Sequence, residues 1–238
     1  MHTLFIFSGQ YDLRLTIAVI VIVLICALFL LLAMFSNILR DEISDVETFN
    51  ANAAKQQARS KRKLVDRTAP FSLTKVQFGL WTVIISSVYV YLSLCKGDCA
   101  LGEINKTALV LMGIFAGTAV ASSLIDKKEM GDNRVRHQDA PSQGFFIDIL
   151  SDENGISLHR FQNFAWTVIA ITVYLYKVSQ ITTGCTLPEL SDTLLALTGI
   201  SSATYLVMKT KENDPPVAES GAATDVPATA QTLTPTTN

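Results

Sequence analysis

Histidine is scarce: His2, His137 and His159 are all that 238 residues contain. There is no H-E-x-x-H, no G-x-S-x-G and no glycine-rich phosphate loop, so an enzyme is not expected, nor a cofactor or metal centre. Proline is missing from every long apolar run, since all seven prolines fall between or beyond them. The backbone hydrogen bonds of those runs can therefore stay within helices, as a medium without water demands. Asp, Glu, Lys, Arg and His are also missing from the centres of the runs. Transport driven by protons or charged substrates normally keeps an ionisable group within the membrane, and that reading is disfavoured. The net charge of −2 sums separated blocks of both signs and gives no argument for a nucleic-acid partner.

Long apolar runs, by contrast, are abundant. Hydrophobic residues make up 49% of the chain and the mean hydropathy is +0.34, too apolar for an ordinary soluble domain. Five stretches, residues 15–35, 78–95, 107–125, 161–176 and 193–208, approach or exceed the roughly 17–20 residues that cross a hydrocarbon core. Basic residues collect in two of the connections, from Arg40 to Lys75 and from Lys127 to Arg160; the other two carry only Lys96 with Lys106, and Lys177. By the positive-inside rule the N-terminus is outside and the C-terminus cytoplasmic. The first stretch, with strong basic flanking after it, reads as a retained anchor and not as a cleaved signal.

An internal repeat organises the rest. Ser72-Leu73-Thr74-Lys75-Val76-Gln77 with Trp81-Thr82-Val83-Ile84 returns 85 residues later as Ser157-Leu158-His159-Arg160-Phe161-Gln162 with Trp166-Thr167-Val168-Ile169. After one extra residue, Thr107, Leu111, Gly113-Ile114 and Thr118 return as Thr193, Leu197, Gly199-Ile200 and Thr204. Such a repeat fixes the expected fold. It is an all-α integral membrane protein of five transmembrane helices, the last four forming two parallel-repeat hairpins in a four-helix bundle. Residues 1–38 hold the outer segment and first span, and 39–70 a cytoplasmic helical extension of it. Hairpin 1 covers 71–126, a cytoplasmic loop with an interfacial helix 127–156, hairpin 2 157–210, and a disordered cytoplasmic tail 211–238.

Each hairpin opens on S-L-x-[K/R]-x-Q-x-x-x-W. Lys75 and Arg160 can reach lipid phosphates and Trp81 and Trp166 anchor at the interface, while Gln77 and Gln162 can hydrogen-bond between repeats or subunits. In the return helices Gly113 and Gly117, and Gly199 and Ala203, place small residues one turn apart, with Thr118, Ser201, Ser202 and Thr204 adding hydroxyls. That face can serve helix packing or line a narrow pore. Cys95, Cys99 and Cys185 fall on the outer side, where two of the three can pair: Cys95 with Cys99 in one loop, or Cys99 with Cys185 between hairpin tips. Asp148, Asp152, Glu153 and Asn154 precede Gly155 in an oxygen-rich turn that offers cation ligands without the spacing of a calcium loop; a solvated turn is the simpler reading.

The repeated opening motif, with Leu195-Ala196-Leu197-Thr198-Gly199-Ile200-Ser201-Ser202-Ala203-Thr204-Tyr205-Leu206 and with Leu150-Ser151-Asp152 and Gly155-Ile156-Ser157, resembles a family of uncharacterised bacterial multi-pass membrane proteins. The resemblance implies a bacterial inner-membrane location and no particular activity. Two function classes follow. One is an oligomeric pore-forming or channel-like subunit, a homo-oligomer in the lipid bilayer. The other is a non-catalytic scaffold docking a cytoplasmic protein partner through 39–70 and 126–157.

Overall fold

A computed structural model describes residues 2–59, 68–95 and 104–213. Cys99, Lys61, Lys63, Lys96 and the expected tail beyond residue 213 lie outside these residues. The described chain is all-α apart from one two-residue hairpin: α1 His2–Phe35, α2 Val46–Arg59, α3 Leu73–Cys95, α4 Lys106–Gly131, α5 Phe145–Leu150, β1 Ser151–Asp152, β2 Gly155–Ile156, α6 Leu158–Ser179 and α7 Asp192–Lys209. The strands pair antiparallel, Ser151 opposite Ile156.

Three helices, at Leu13–Phe35, Leu73–Cys95 and Lys106–Gly131, are long and apolar enough to cross a bilayer, and they mark a membrane protein. The sequence reading expected five. At 22 and 18 residues α6 and α7 are helices of comparable length, but beside Ala170, Tyr174, Leu195 and Tyr205 their buried faces carry many polar side chains: Arg160, Asn163 and Thr167 on α6, and Thr198, Ser201, Ser202 and Lys209 on α7. These residues dilute the apolar signal on which a span is recognised.

The helices α3, α4, α7 and α6 form a closed ring of contacts, and α1 packs on α3 from outside it. Along most of its length α1 presents large apolar side chains outward, including Val23, Leu24, Leu28 and Leu31, as a lipid-facing helix does. Its close approach depends on Gly79 of α3. A Cβ there would stand 2.7 Å from Cε2 of Phe29, so a glycine leaves room for the Phe29 ring against α3.

Beyond α1 the chain does not continue as one helix. It unwinds and runs antiparallel to the residues preceding α3: Asp41 N donates to Pro70 O (2.9 Å) and Ser72 N to Leu39 O (2.8 Å). The Arg40 guanidinium lies 4.2 Å from the Phe71 ring centroid. A new helix, α2, then starts where the Asp45 carboxylate accepts from Glu47 N (2.9 Å), an N-terminal cap. Within 39–70, where a helical extension of the first span was expected, the described residues hold a separate amphipathic helix over Val46–Arg59, which buries Phe49 and Ala53.

At the end of the bundle where α4 begins, Asn105 caps α4 by accepting from Ala108 N (3.0 Å) while its amide donates to Leu187 O (2.7 Å). Leu187 and Leu190 of the α6–α7 connection close the apolar half of the core, which contains Trp81, Ile85, Leu92, Leu111, Phe115 and Tyr174. Cys185 is in a disulfide.

Candidate functional site

From that apolar half toward the opposite end, the interior of the bundle changes character twice. First comes a polar layer. Gln77 of α3 is buried and its Nε2 donates to Thr167 Oγ1 (2.7 Å) and Asn163 O (3.3 Å) of α6. Asn163, Ser122, Ser201 and Ser202 are buried as well. Among the described residues, Gln77 Oε1, both side-chain polar atoms of Asn163 and the three serine hydroxyls have no hydrogen-bond partner. Native interiors hold few such atoms, and each normally signals water, an ion or a functional strain.

The second change is to a buried charge network. Helix α4 continues past its apolar stretch to Gly131, because Asp126 and Glu129 find cations instead of solvent. Arg136 Nη2 lies 2.6 Å from Asp126 Oδ1, and Arg136 Nε 3.1 Å from Glu129 Oε2. The Lys209 ammonium at the end of α7 lies 3.0 Å from Asp126 Oδ2. On α6, Arg160 grips Glu212 bidentately at 2.6 and 3.1 Å, the fork geometry suited to a carboxylate. Asn213 joins the parts: its Oδ1 accepts from His137 N (2.9 Å), its Nδ2 donates to Glu129 Oε2 (3.2 Å), and its backbone N donates to Glu153 Oε2 (3.0 Å). The segment 132–142, part of the loop expected over 127–156, thereby covers this end of the bundle, with Arg136, Gln138 and Asp139 buried.

Beside this network opens a cleft of about 720 Å³ between α2, the 135–143 segment, the α5–β1 corner and the start of α6, with Lys55, Arg59, His137, Asp152 and Arg160 among its walls. Its charges are mixed in sign.

Burial alone would raise the Asp41 carboxyl; the charges of Lys209, Arg160 and Lys75 and a hydrogen bond from Ser72 outweigh it and hold the group below its ordinary value. Glu212 behaves likewise: burial raises it, and Arg160, by charge and hydrogen bonding, with His137 and Lys209 bring it below the ordinary value. His137 is depressed below 6.5, first by burial and then by Arg160. All three shifts have the same sign for stability. A depressed group stabilises the fold above its unfolded pKa and loses that contribution as pH falls through its folded value. Thermal scans in detergent should therefore show stability falling as the pH drops below about 6.5, as His137 is forced to charge, and falling further as the pH passes below the ordinary carboxylate range of about 4, where the unfolded chain takes up protons that Asp41 and Glu212 resist in the folded state. A melting temperature flat from pH 7 to pH 4 would contradict this network.

The expected site residues divide. Gln77 bridges α3 to α6, whereas Gln162 is exposed; Trp81 is fully buried, whereas Trp166 is half-buried. Lys75 donates to Arg40 O (2.7 Å), and Arg160 is committed to Glu212. Gly113 and Gly117 lie on an exposed face with nothing within 4 Å of a built Cβ, and Gly199 approaches Ile114. Ala203 and Thr204 are exposed, and Thr204 Oγ1 donates back to Ile200 O. Thr118, Ser201 and Ser202 face inward. Of the oxygen-rich turn, Asp148 is occupied by Ser142 Oγ (2.6 Å), Gln143 N (2.8 Å) and Phe71 N (3.2 Å), and Asp152 Oδ1 by Asn154 N (2.8 Å).

Reading the sequence missed Asp126, Arg136, Lys209 and Glu212: Arg136 was counted only among the basic residues of a connection, and Glu212 was placed in the tail expected to be disordered, whereas it is buried. A signal was present: Asp126 and Glu212 are 86 residues apart, the offset of the return helices, so each return helix is followed or ended by an acid at a matched position. Comparison with protein-family models, curated proteins and solved structures gives no match.

Proposed function

We propose that the protein is a channel-like, pore-forming subunit of a bacterial inner membrane. It crosses five times, with α1, α3, α4, α6 and α7 as the spans, the N-terminus outside and the C-terminus cytoplasmic. The observation that carries this reading is the polar layer of Gln77, Asn163, Ser122, Ser201 and Ser202, buried between spans and rich in atoms without a protein partner. Polar groups at membrane depth are tolerated where they face a bundle interior or a water-filled path, and hydroxyls and amides can replace part of an ion's hydration. The layer leads from an apolar outer half to the charged inner end, an order suited to a hydrophobic gate above a hydrated vestibule. Subunits join through the exposed Gly113–Gly117 face of α4, where nothing stands within 4 Å of a Cβ and a second helix can approach closely.

A second reading, a scaffold that docks a soluble partner, draws on the cleft of about 720 Å³ lined by residues of both 39–70 and 126–157. Flux separates the two. In liposomes the purified oligomer should pass small ions, and Asn163→Leu or Ser202→Val should reduce flux to that of empty liposomes while leaving the native mass of the oligomer unchanged. A monomer that passes nothing would end the pore reading and leave the scaffold.

A further inference from the structure

Among the described residues five buried carboxyls, Asp41, Asp126, Glu129, Asp139 and Glu212, share this end of the bundle with three buried cations, Arg136, Arg160 and Lys209, and the partly buried Lys75 adds its charge beside Asp41. Asp41 Oδ1 is one of the buried oxygens without a partner. Carboxylates gathered out of water favour a cation where further donors converge.

One place in the network has the donors for a cation. Asp152 of β1, His159 in the first turn of α6 and Glu212 just beyond α7 bring one ligand atom each within 4.8 Å of one another. His159 Nε2 lies 3.4 Å from Glu212 Oε1. That is long for a hydrogen bond, and it is the edge expected of two ligands about 2.0–2.1 Å from one tetrahedral ion. The Ser157 hydroxyl stands 2.7 Å from Nδ1 and 3.2 Å from Nε2 of the same ring, adding an oxygen beside the nitrogen donor. Arg160 already holds Glu212, but each carboxylate oxygen has two lone pairs, so its fork can orient the ligand while a metal takes the remaining positions. One imidazole with two carboxylates suits a first-row divalent ion, above all Zn²⁺, better than Ca²⁺ or Mg²⁺.

We propose that Asp152, His159 and Glu212 form a divalent transition-metal site that ties the inner ends of α6 and α7 to the β1–β2 turn. It differs from the turn read in the sequence: it shares Asp152, and takes His159 and Glu212 in place of Asp148, Glu153 and Asn154. The site does not depend on whether the bundle conducts.

The test uses the full chain in nanodiscs, stripped with a chelator and titrated with Zn²⁺, with Co²⁺ as a coloured probe of the coordination. One equivalent of Zn²⁺ should bind, Co²⁺ should give the intense visible bands of a four-coordinate ion, and metal should raise the melting temperature. His159→Ala and Asp152→Asn should each weaken binding by about tenfold or more. Glu153→Gln, which touches Asn213 but is not one of the three ligands, should leave it intact. Both ligand variants should melt like the metal-free parent, which separates lost ligation from lost folding. No stoichiometric binding, or binding indifferent to His159→Ala and Asp152→Asn, would overturn the site.

Discussion

Asp126→Asn should destabilise the protein by about 3–5 kcal/mol, the range for breaking a buried ion pair from one side. The carboxylate serves two cations at once, Arg136 at 2.6 Å and Lys209 at 3.0 Å, whose side chains are 0% and 1% exposed. Asparagine keeps the size and one acceptor but removes the charge, leaving an ammonium and a guanidinium out of water. Arg136 retains Glu129 (3.1 Å) and the carbonyl of Glu42 (3.0 Å), so most of the loss falls on Lys209. On ordinary size scaling the melting temperature should drop by on the order of 10 °C. Lys209→Met in the same chain should recover a large part, because the orphaned ammonium is then gone and the stem remains. A loss below about 1 kcal/mol in the single variant would mean that water reaches this end of the bundle and that the pairs are screened like surface ones.

That network also defines the limit of what the sequence made legible. The helices α3, α4, α6 and α7 could be read from apolar runs and from the repeat, because helix formation and proline avoidance are local properties of those residues. The charged connections could not. Arg136 and Lys127 look alike in a tally of basic residues, yet the side chain of Arg136 is fully buried while Lys127 is exposed on the outer face of α4. What separates them is the position of Asp126 and Glu129 on the inward face of a helix that continues beyond its apolar part. The small-residue faces were legible as sequence but not as geometry: Ser201 and Ser202 turn into the bundle while Ala203 and Thr204 turn away, a division that depends on which neighbours α7 acquires. Asp152, His159 and Glu212 meet only because β1, α6 and the residues after α7 converge, and no spacing along the chain encodes that.

The two tryptophans of the repeated motif offer the second large effect, with a built-in control. Trp81→Ala should cost about 3–5 kcal/mol and Trp166→Ala less than about 1 kcal/mol, although each follows the same S-L-x-[K/R]-x-Q opening. Trp81 is 0% exposed, stacked on Phe115 with ring centroids 5.7 Å apart at 22° and meeting Tyr174 edge-on at the same distance. Its removal leaves a void where α3, α4 and α6 meet, and in lipid, where transfer from water no longer drives helix association, lost packing is the larger part of the cost. Trp166 is half-buried, since α6 turns Gln162 and Trp166 away from the interior and buries Arg160, Asn163, Thr167, Ala170 and Tyr174. The cause is position in the bundle: α3 is packed against α1, α4 and α6, which leaves it little free surface, whereas among the described residues α6 has no counterpart of α1 on the side away from the bundle. Unfolding both variants in one detergent settles the matter. Equal losses would mean that the second motif is covered as fully as the first, either by another copy of the chain on the outer face of α6 or by a helix arrangement more symmetric than this one.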